Sequence, residues 1–349
     1  MRRSLLVLIG LGTLLAACAD TGGSGTSTSL SPGRTTSGEV EDLILYSGRN
    51  ETFVAPVVED FTAATGIEVR VRYGDGTSDL AATLLNEGDT TDADVFWAQD
   101  PAWIGAIGDV GLLADLAPDI LGLVSEAYRD ADGRWVGVTA RIRVLVYNPD
   151  LVSEDELPQS VSALVGPEWN GRLGIAPGNA SFIAFVSAME LAEGPEATLA
   201  WLEGIASNGV RTYDGNGAIV DAVIAGDLDA GLVNHYYLLQ RIADQGEVSA
   251  VNHFLAPGDP GALVMATGAG VLAPSDNQEA ANEFIRHLLS PESQEHFAVN
   301  LFEYGLIEGA PTPEGQVPLA DLAGPDINLS DLADYLDSSV ELIAQAGLS

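Results

Sequence analysis

Residues 43–97 read LILYSGRNETFVAPVVEDFTAATGIEVRVRYGDGTSDLAATLLNEGDTTDADVFW, and the order of patterns within them decides the fold class. Leu43–Tyr46 is a short apolar run of strand type. Asn50-Glu51 opens a helical pattern in which Phe53, Val57, Val58 and Phe61 share one face. Gly66 stops that helix, and residues 67–73 alternate apolar with charged side chains, as a half-exposed strand does. Thr77–Asn86 supplies a second helix with Leu80, Leu84 and Leu85 on one side. Residues 94–97 supply a third strand, and Asp100-Pro101 starts another helix through Ile107. Strands and helices that alternate in this way imply a parallel sheet with helices on both faces.

The alternation continues downstream. Val144–Tyr147 reads as a strand closed by Asn148-Pro149, and residues 173–176, 230–233, 262–265 and 270–272 read as further strands. Helical patterns cover 182–191, 197–205, 218–225, 238–243, 277–289 and 329–346. The expected class is therefore α/β with two lobes. No Walker loop, dinucleotide fingerprint, G-x-S-x-G elbow or H-E-x-x-H motif is present, and no nucleophile–base pair can be named for an enzyme.

Composition narrows the partners. The chain has 349 residues, 14 basic against 51 acidic, and a formal charge of −37; every basic residue is an arginine. Such a chain does not hold nucleic acid by its phosphates. With 46% hydrophobic residues in periodic blocks it has ample material for a core. One cysteine, Cys18, excludes an internal disulfide and a Cys-based metal cluster.

That cysteine closes an export signal. Arg2-Arg3 precede an apolar run from Leu5 to Ala17, about 13 residues long, too short to span a bilayer and the right length for a signal-peptide core. Leu15-Ala16-Ala17-Cys18 resembles the bacterial lipobox, which implies a signal peptide over 1–17 and a lipidated Cys18. Residues 18–40, rich in Gly, Ser and Thr, read as a flexible tether, so folding is expected to start near Glu41. The protein is then expected to be membrane-attached by its lipid alone, on the extracytoplasmic face.

One constellation carries chemistry: Val233-Asn234-His235-Tyr236-Tyr237, set between a strand and a helix. Adjacent residues at such a junction lie about 100° apart and can converge on one point, where the helix end adds partial positive charge. A phenol, with a pKa near ~10, gives up its proton at neutral pH only to a strong Lewis acid, and ferric iron is one. Two aromatics packed into a domain wall would leave the same dipeptide.

From Tyr46 onward the chain resembles the ferric iron-binding proteins of bacterial ABC uptake systems, which have the two-lobed type II periplasmic-binding architecture with hinge strands between lobes. The likeness runs through residues 45–51 (LYSGRNE), 94–99 (DVFWAQ), 141–148 (RIRVLVYN), 169–174 (WNGRLG), 234–237 (NHYY) and 289–294 (LSPESQ). The resemblance implies Tyr236 and Tyr237 as phenolate ligands to Fe(III), a synergistic anion such as carbonate, an ABC permease as partner, and a monomer without enzymatic activity. It also implies one lobe from residues 41–139 with 268–349 and another from 144–262, joined near Val138–Arg143 and Leu263–Thr267.

Two positions depart from the family. Asn50 and Gln99 stand where many members carry a histidine and a glutamate ligand, and neither amide brings charge. Iron with two phenolates keeps one positive charge, so an anion must complete the shell. Arg49 and Arg141 are the candidate anion clamps, because a guanidinium fork matches an oxyanion. Family positions for the anion map to Asn179, Ala180, Ser181, Asn216 and Asn234. Asp100, Tyr46 and His235 are further candidates for the ligand shell. The same scaffold could instead hold an oxyanion, a phosphonate or a polyamine.

Overall fold

The first sequence block folds as β1 (Leu43–Ser47), α1 (Glu51–Thr65), β2 (Val69–Tyr73), α2 (Thr77–Glu87), β3 (Val95–Ala98) and α3 (Pro101–Asp109). The computed structural model describes residues 42–74 and 76–348; the expected signal peptide, Cys18 and tether lie outside the described residues. Local chemistry sets the bounds of α1. The Asn50 side chain accepts from the Thr52 N–H at 3.0 Å, and Gly66, at φ 76°, takes the left-handed turn that ends the helix. Its buried stripe, Val54, Val57 and Phe61, faces the sheet, and Phe61 meets Phe284 edge-on at 5.1 Å. Burial of one such ring stabilises by about 1.5–3 kcal/mol.

A short α4 (Pro118–Leu121) leads to β4 (Val136–Tyr147). Then follow β5 (Leu173–Ile175), α5 (Ala180–Glu193), α6 (Pro195–Ser207), β6 (Arg211–Thr212), α7 (Asn216–Ile224), β7 (Ala230–Asn234), α8 (Tyr236–Gln245) and β8 (Val251–His253). The chain ends with β9 (Val264–Val271), α9 (Gln278–Leu288), α10 (Pro291–Asn300), β10 (Tyr304–Gly305) and α11 (Leu336–Gln345).

The strand order is β2-β1-β3-β9-β4-β7-β5-β6, with β10 and β8 also on β4. The sheet is mixed, not purely parallel. β1 pairs in parallel with β2 and β3, and β5 with β6 and β7, whereas β9 and β4 run antiparallel to their neighbours. Both antiparallel strands belong to the chain's passage between the two halves, where no crossover helix dictates direction.

β4 is the strand common to both halves. Its residues 136–142 pair with β9, and its residues 143–147 with β7 and β8. All twelve residues are buried, eight more than the apolar run 144–147 indicates. Gly137, Thr139, Arg141 and Arg143 break the apolar pattern ahead of that run, so hydrophobicity alone does not reveal the strand. The Thr139 hydroxyl finds partners inside: its Oγ1 lies 3.1 Å from Thr267 Oγ1 and 2.6 Å from Glu303. β9 likewise is one strand rather than two, its middle being Ala266-Thr267-Gly268; a Cβ at Gly268 would come within 2.7 Å of Ile104.

The C-terminal segment is corrected in two respects. Residues 329–335 form a 3-10 turn and only 336–345 are α-helical. This 3-10 segment packs against α3 and α5, while α11 packs against α5 and α6. The end of the chain therefore sits on helices of the second half, not with the first half alone.

Candidate functional site

Five helices begin around one cavity of about 530 Å³. α1 brings Asn50; α2 brings Gly76, Thr77 and Ser78; α3 brings Gln99 and Asp100; α5 brings Asn179, Ala180 and Ser181; α8 brings Tyr236 and Tyr237. Arg141 of β4 and Asn234 of β7 complete the polar wall, with Phe53, Trp103 and Gln240 at its margins. Each helix start carries about half a positive charge, so the cavity favours anionic groups despite the chain's net charge.

The tyrosines hold the position their junction predicts. β7 ends at Asn234 and α8 begins at Tyr236, so the pair forms the first turn of the helix. Their rings stack at 4.4 Å between centroids, inclined by 25°. Burial, followed by the charge of Tyr237, pushes the Tyr236 phenol well above its ordinary range, and Arg141 pulls it back. The phenol thus keeps its proton until a strong cation displaces it.

Arg141 is 2% exposed, and its Nε and Nη1 have no hydrogen-bond partner. The buried Asn234 Oδ1 also lacks one. Asp100 caps α3, its Oδ1 accepting from the Trp103 N–H at 3.2 Å. Burial raises its pKa, and Arg141 together with the helix N–H groups opposes that rise. Asn179 caps α5: its Oδ1 takes the Ser181 N–H at 3.0 Å and the Ser181 hydroxyl at 2.7 Å.

Four residues expected at the site lie behind it. Arg49 does not line the cavity: it bonds Glu303 at 2.8 Å and Thr139 at 3.0 Å, with its guanidinium over Trp97. An arginine so engaged is no anion clamp. Tyr46 faces away, its hydroxyl accepting from Arg72 at 2.7 Å and donating to Glu87 at 3.1 Å. His235 is wholly buried; Nδ1 accepts from the Ile142 N–H at 3.2 Å and Nε2 donates to the Phe302 carbonyl at 2.7 Å. Burial holds its pKa at about 4, so the ring is neutral. Asn216 braces the wall from outside, its amide donating to Ser181 Oγ at 3.1 Å and Asn179 Oδ1 at 3.3 Å.

Sequence reasoning overlooks Gly48 and residues 76–78. Thr77 Oγ1 accepts from the Gln99 N–H at 3.0 Å, tying the start of α2 to the end of β3. The only signal is a helix start that follows the glycine pair of Gly74-Asp75-Gly76. Among the described residues no three His, Cys, Asp or Glu side chains gather as a metal site. No described helix is long and apolar enough to cross a membrane.

A mixed-sheet, two-lobed α/β chain with helix starts converging on one polar cavity defines a solute-binding protein. The chain belongs to the bacterial extracellular solute-binding protein family, whose model matches residues 57–314; this is a family of binding rather than catalytic proteins. It is 38% identical over 311 residues to the Fe(3+)-binding periplasmic protein of Serratia marcescens, covering 88% of this chain and 91% of that one. It is 31% identical to the major ferric iron-binding protein of Neisseria meningitidis serogroup B, covering 88% and 93%. The structure of iron-bound HitA from Pseudomonas aeruginosa superposes with a TM-score of 0.82 at 33% identity, covering 88% of this chain and 99% of that one.

Proposed function

We propose that this protein captures ferric iron with a synergistic anion between its two lobes and delivers the iron to an ABC permease. The observation that carries the reading is the stacked Tyr236–Tyr237 pair at the start of α8, which lines the same cavity as the unpaired Arg141. Iron displaces the two phenolic protons and gains two anionic oxygens. Asn50 and Gln99 line the cavity but add no charge, so the anion supplies what a carboxylate ligand would. It rests against Arg141 and the α5 start at Asn179, Ala180 and Ser181.

The lobes in this reading are residues 41–139 with most of the segment after 268, and 144–262 with α11. β4 and the start of β9 act as the hinge. Ligand contacts made only in the closed state favour closure, which the permease recognises. Lipid on Cys18 keeps a monomeric protein beside its permease outside the cytoplasm, raising its effective concentration.

Iron titration should produce a phenolate-to-iron visible band that requires bicarbonate or a similar anion. A band and affinity that survive Tyr236→Phe combined with Tyr237→Phe would falsify the assignment. The second reading is an oxyanion held without iron, favoured by Arg141 and the five helix starts. Binding of phosphate or a phosphonate by metal-free protein, with no gain on adding iron, would establish it. A polyamine is disfavoured, because Asp100 is the one described carboxylate on the cavity wall.

A further inference from the structure

Arg143 follows Arg141 by two positions on β4, so both side chains leave the strand on the same side. It is 1% exposed and does not line the cavity. Its Nη1 donates to Ser181 Oγ at 3.2 Å, its Nη2 donates to the Leu232 carbonyl at 3.1 Å, and its Nε has no partner. Its guanidinium lies over Phe182 and Phe185, 5.5 and 5.4 Å from their centroids. Among the described residues no carboxylate lies within 4.0 Å of Arg141 or Arg143. Every other described arginine makes an ion pair except Arg211, which is exposed.

Two buried, unpaired cations are anomalous in a chain with 51 acidic residues. An isolated buried charge is costly unless something compensates it. Burial lowers the Arg143 pKa to about 9, opposed by a charge on Tyr237, so the group stays cationic at neutral pH.

We infer that Arg143 is a hidden specificity-determining residue, a second guanidinium behind the Ser181 wall that sets the charge of the anion bound with the metal. The inference rests on the iron reading above. In this inference Fe(III), Arg141 and Arg143 bring five positive charges; two phenolates return two, and Asp100, whose charged form Arg141 and the α3 N–H groups favour against burial, is taken to return the third. A closed cleft is then neutral with a dianion, such as carbonate or a small dicarboxylate. Without Arg143 the balance shifts to a monoanion. Arg143 acts through Ser181 and through space, touching neither iron nor anion.

The test uses the full chain at neutral pH and fixed ionic strength, with Fe(III) and acetate, malonate or tricarballylate as carboxylates of rising charge. The concentration of each anion that half-develops the visible band is measured. Wild type should prefer malonate. In Arg143→Met the malonate requirement should rise about tenfold relative to acetate, the effect of about one unit of charge interaction in a partly screened site. Arg143→Lys keeps the charge and should keep the preference for malonate at lower overall affinity; if the methionine variant does not fold, loss of that preference in the lysine variant overturns the inference. An unchanged anion order in Arg143→Met, or an equal loss for all three anions, also overturns it. A wild-type protein that forms no band with any anion overturns the iron reading itself.

Discussion

The Arg49 guanidinium meets the Glu303 carboxylate at 2.8 Å with both side chains buried, and Thr139 of β4 lies 2.6 Å from the same carboxylate oxygen. The pair joins the loop ahead of α1, the strand shared by both halves and the turn after α10. Breaking such a pair leaves an uncompensated buried charge, at a cost of about 3–5 kcal/mol. Glu303→Gln should therefore lower unfolding free energy in urea by that amount. Replacing both residues with methionine should recover part of the loss. A Glu303→Gln variant as stable as wild type would remove the pair from the hinge's support.

Neutral amides at Asn50 and Gln99 predict a gain-of-function variant. Asn50→His with Gln99→Glu places an imidazole and a carboxylate on the cavity wall, both better donors to a hard trivalent cation than amides. Iron affinity without added anion should rise about tenfold or more, measured by competition with a chelator. Unaltered anion dependence in the double variant would show that these two positions do not face the metal.

Gly48 permits a close approach that shapes the cavity. A Cβ there would fall 2.3 Å from Thr77 Oγ1 and 2.8 Å from the Thr77 Cα, so backbone would have to move. Gly48→Ala should destabilise by about 1–3 kcal/mol through overpacking. It should also weaken ligand binding, because the start of α2 shifts with Thr77. Calorimetry of the variant with and without iron checks both effects.

Away from the cavity, Glu156 sets a pH dependence. The Ser153 N–H, the Ser153 hydroxyl and the Arg172 guanidinium hold its carboxyl down to about 2. A depressed carboxyl stabilises the fold above its unfolded value of about 4.3 and loses that contribution as pH falls through the folded value. The gap in denaturation midpoint between wild type and Glu156→Gln should be constant above that range and close between about pH 4 and pH 2. A gap that widens on acidification would contradict the sign.

Helix starts were the legible part of the site. Asn50, Asp100, Asn179 and the tyrosine pair each follow a strand pattern and precede a helical one, and each of them lines the cavity. Direction was not legible. Arg49 and His235 are chain neighbours of cavity residues, yet each turns inward to a partner more than 90 residues distant, Glu303 for Arg49 and Ile142 for His235. Nothing local announces such partners. The same limit hid most of β4, whose Thr139, Arg141 and Arg143 look like surface residues until the groups facing them are known. Over the C-terminal segment Leu329, Leu332, Leu336 and Val340 keep a helical spacing that a 3-10 turn running into an α-helix accommodates as well as one continuous helix.

β4 also governs how quickly the chain can reach its native state. Its partners lie far along the sequence, with Val144 beside Val233 and Ile142 beside Val264. Neither half of the sheet can zip from a local hairpin at this strand, and long loops must close before any ladder forms on it. Folding should therefore be slow for a chain of this size. If the chain is exported, as its first 17 residues lead one to expect, that delay is an advantage, since the membrane must be crossed before the sheet is complete. The strand proposed as a hinge in the mature protein would then also act as a timer during its maturation.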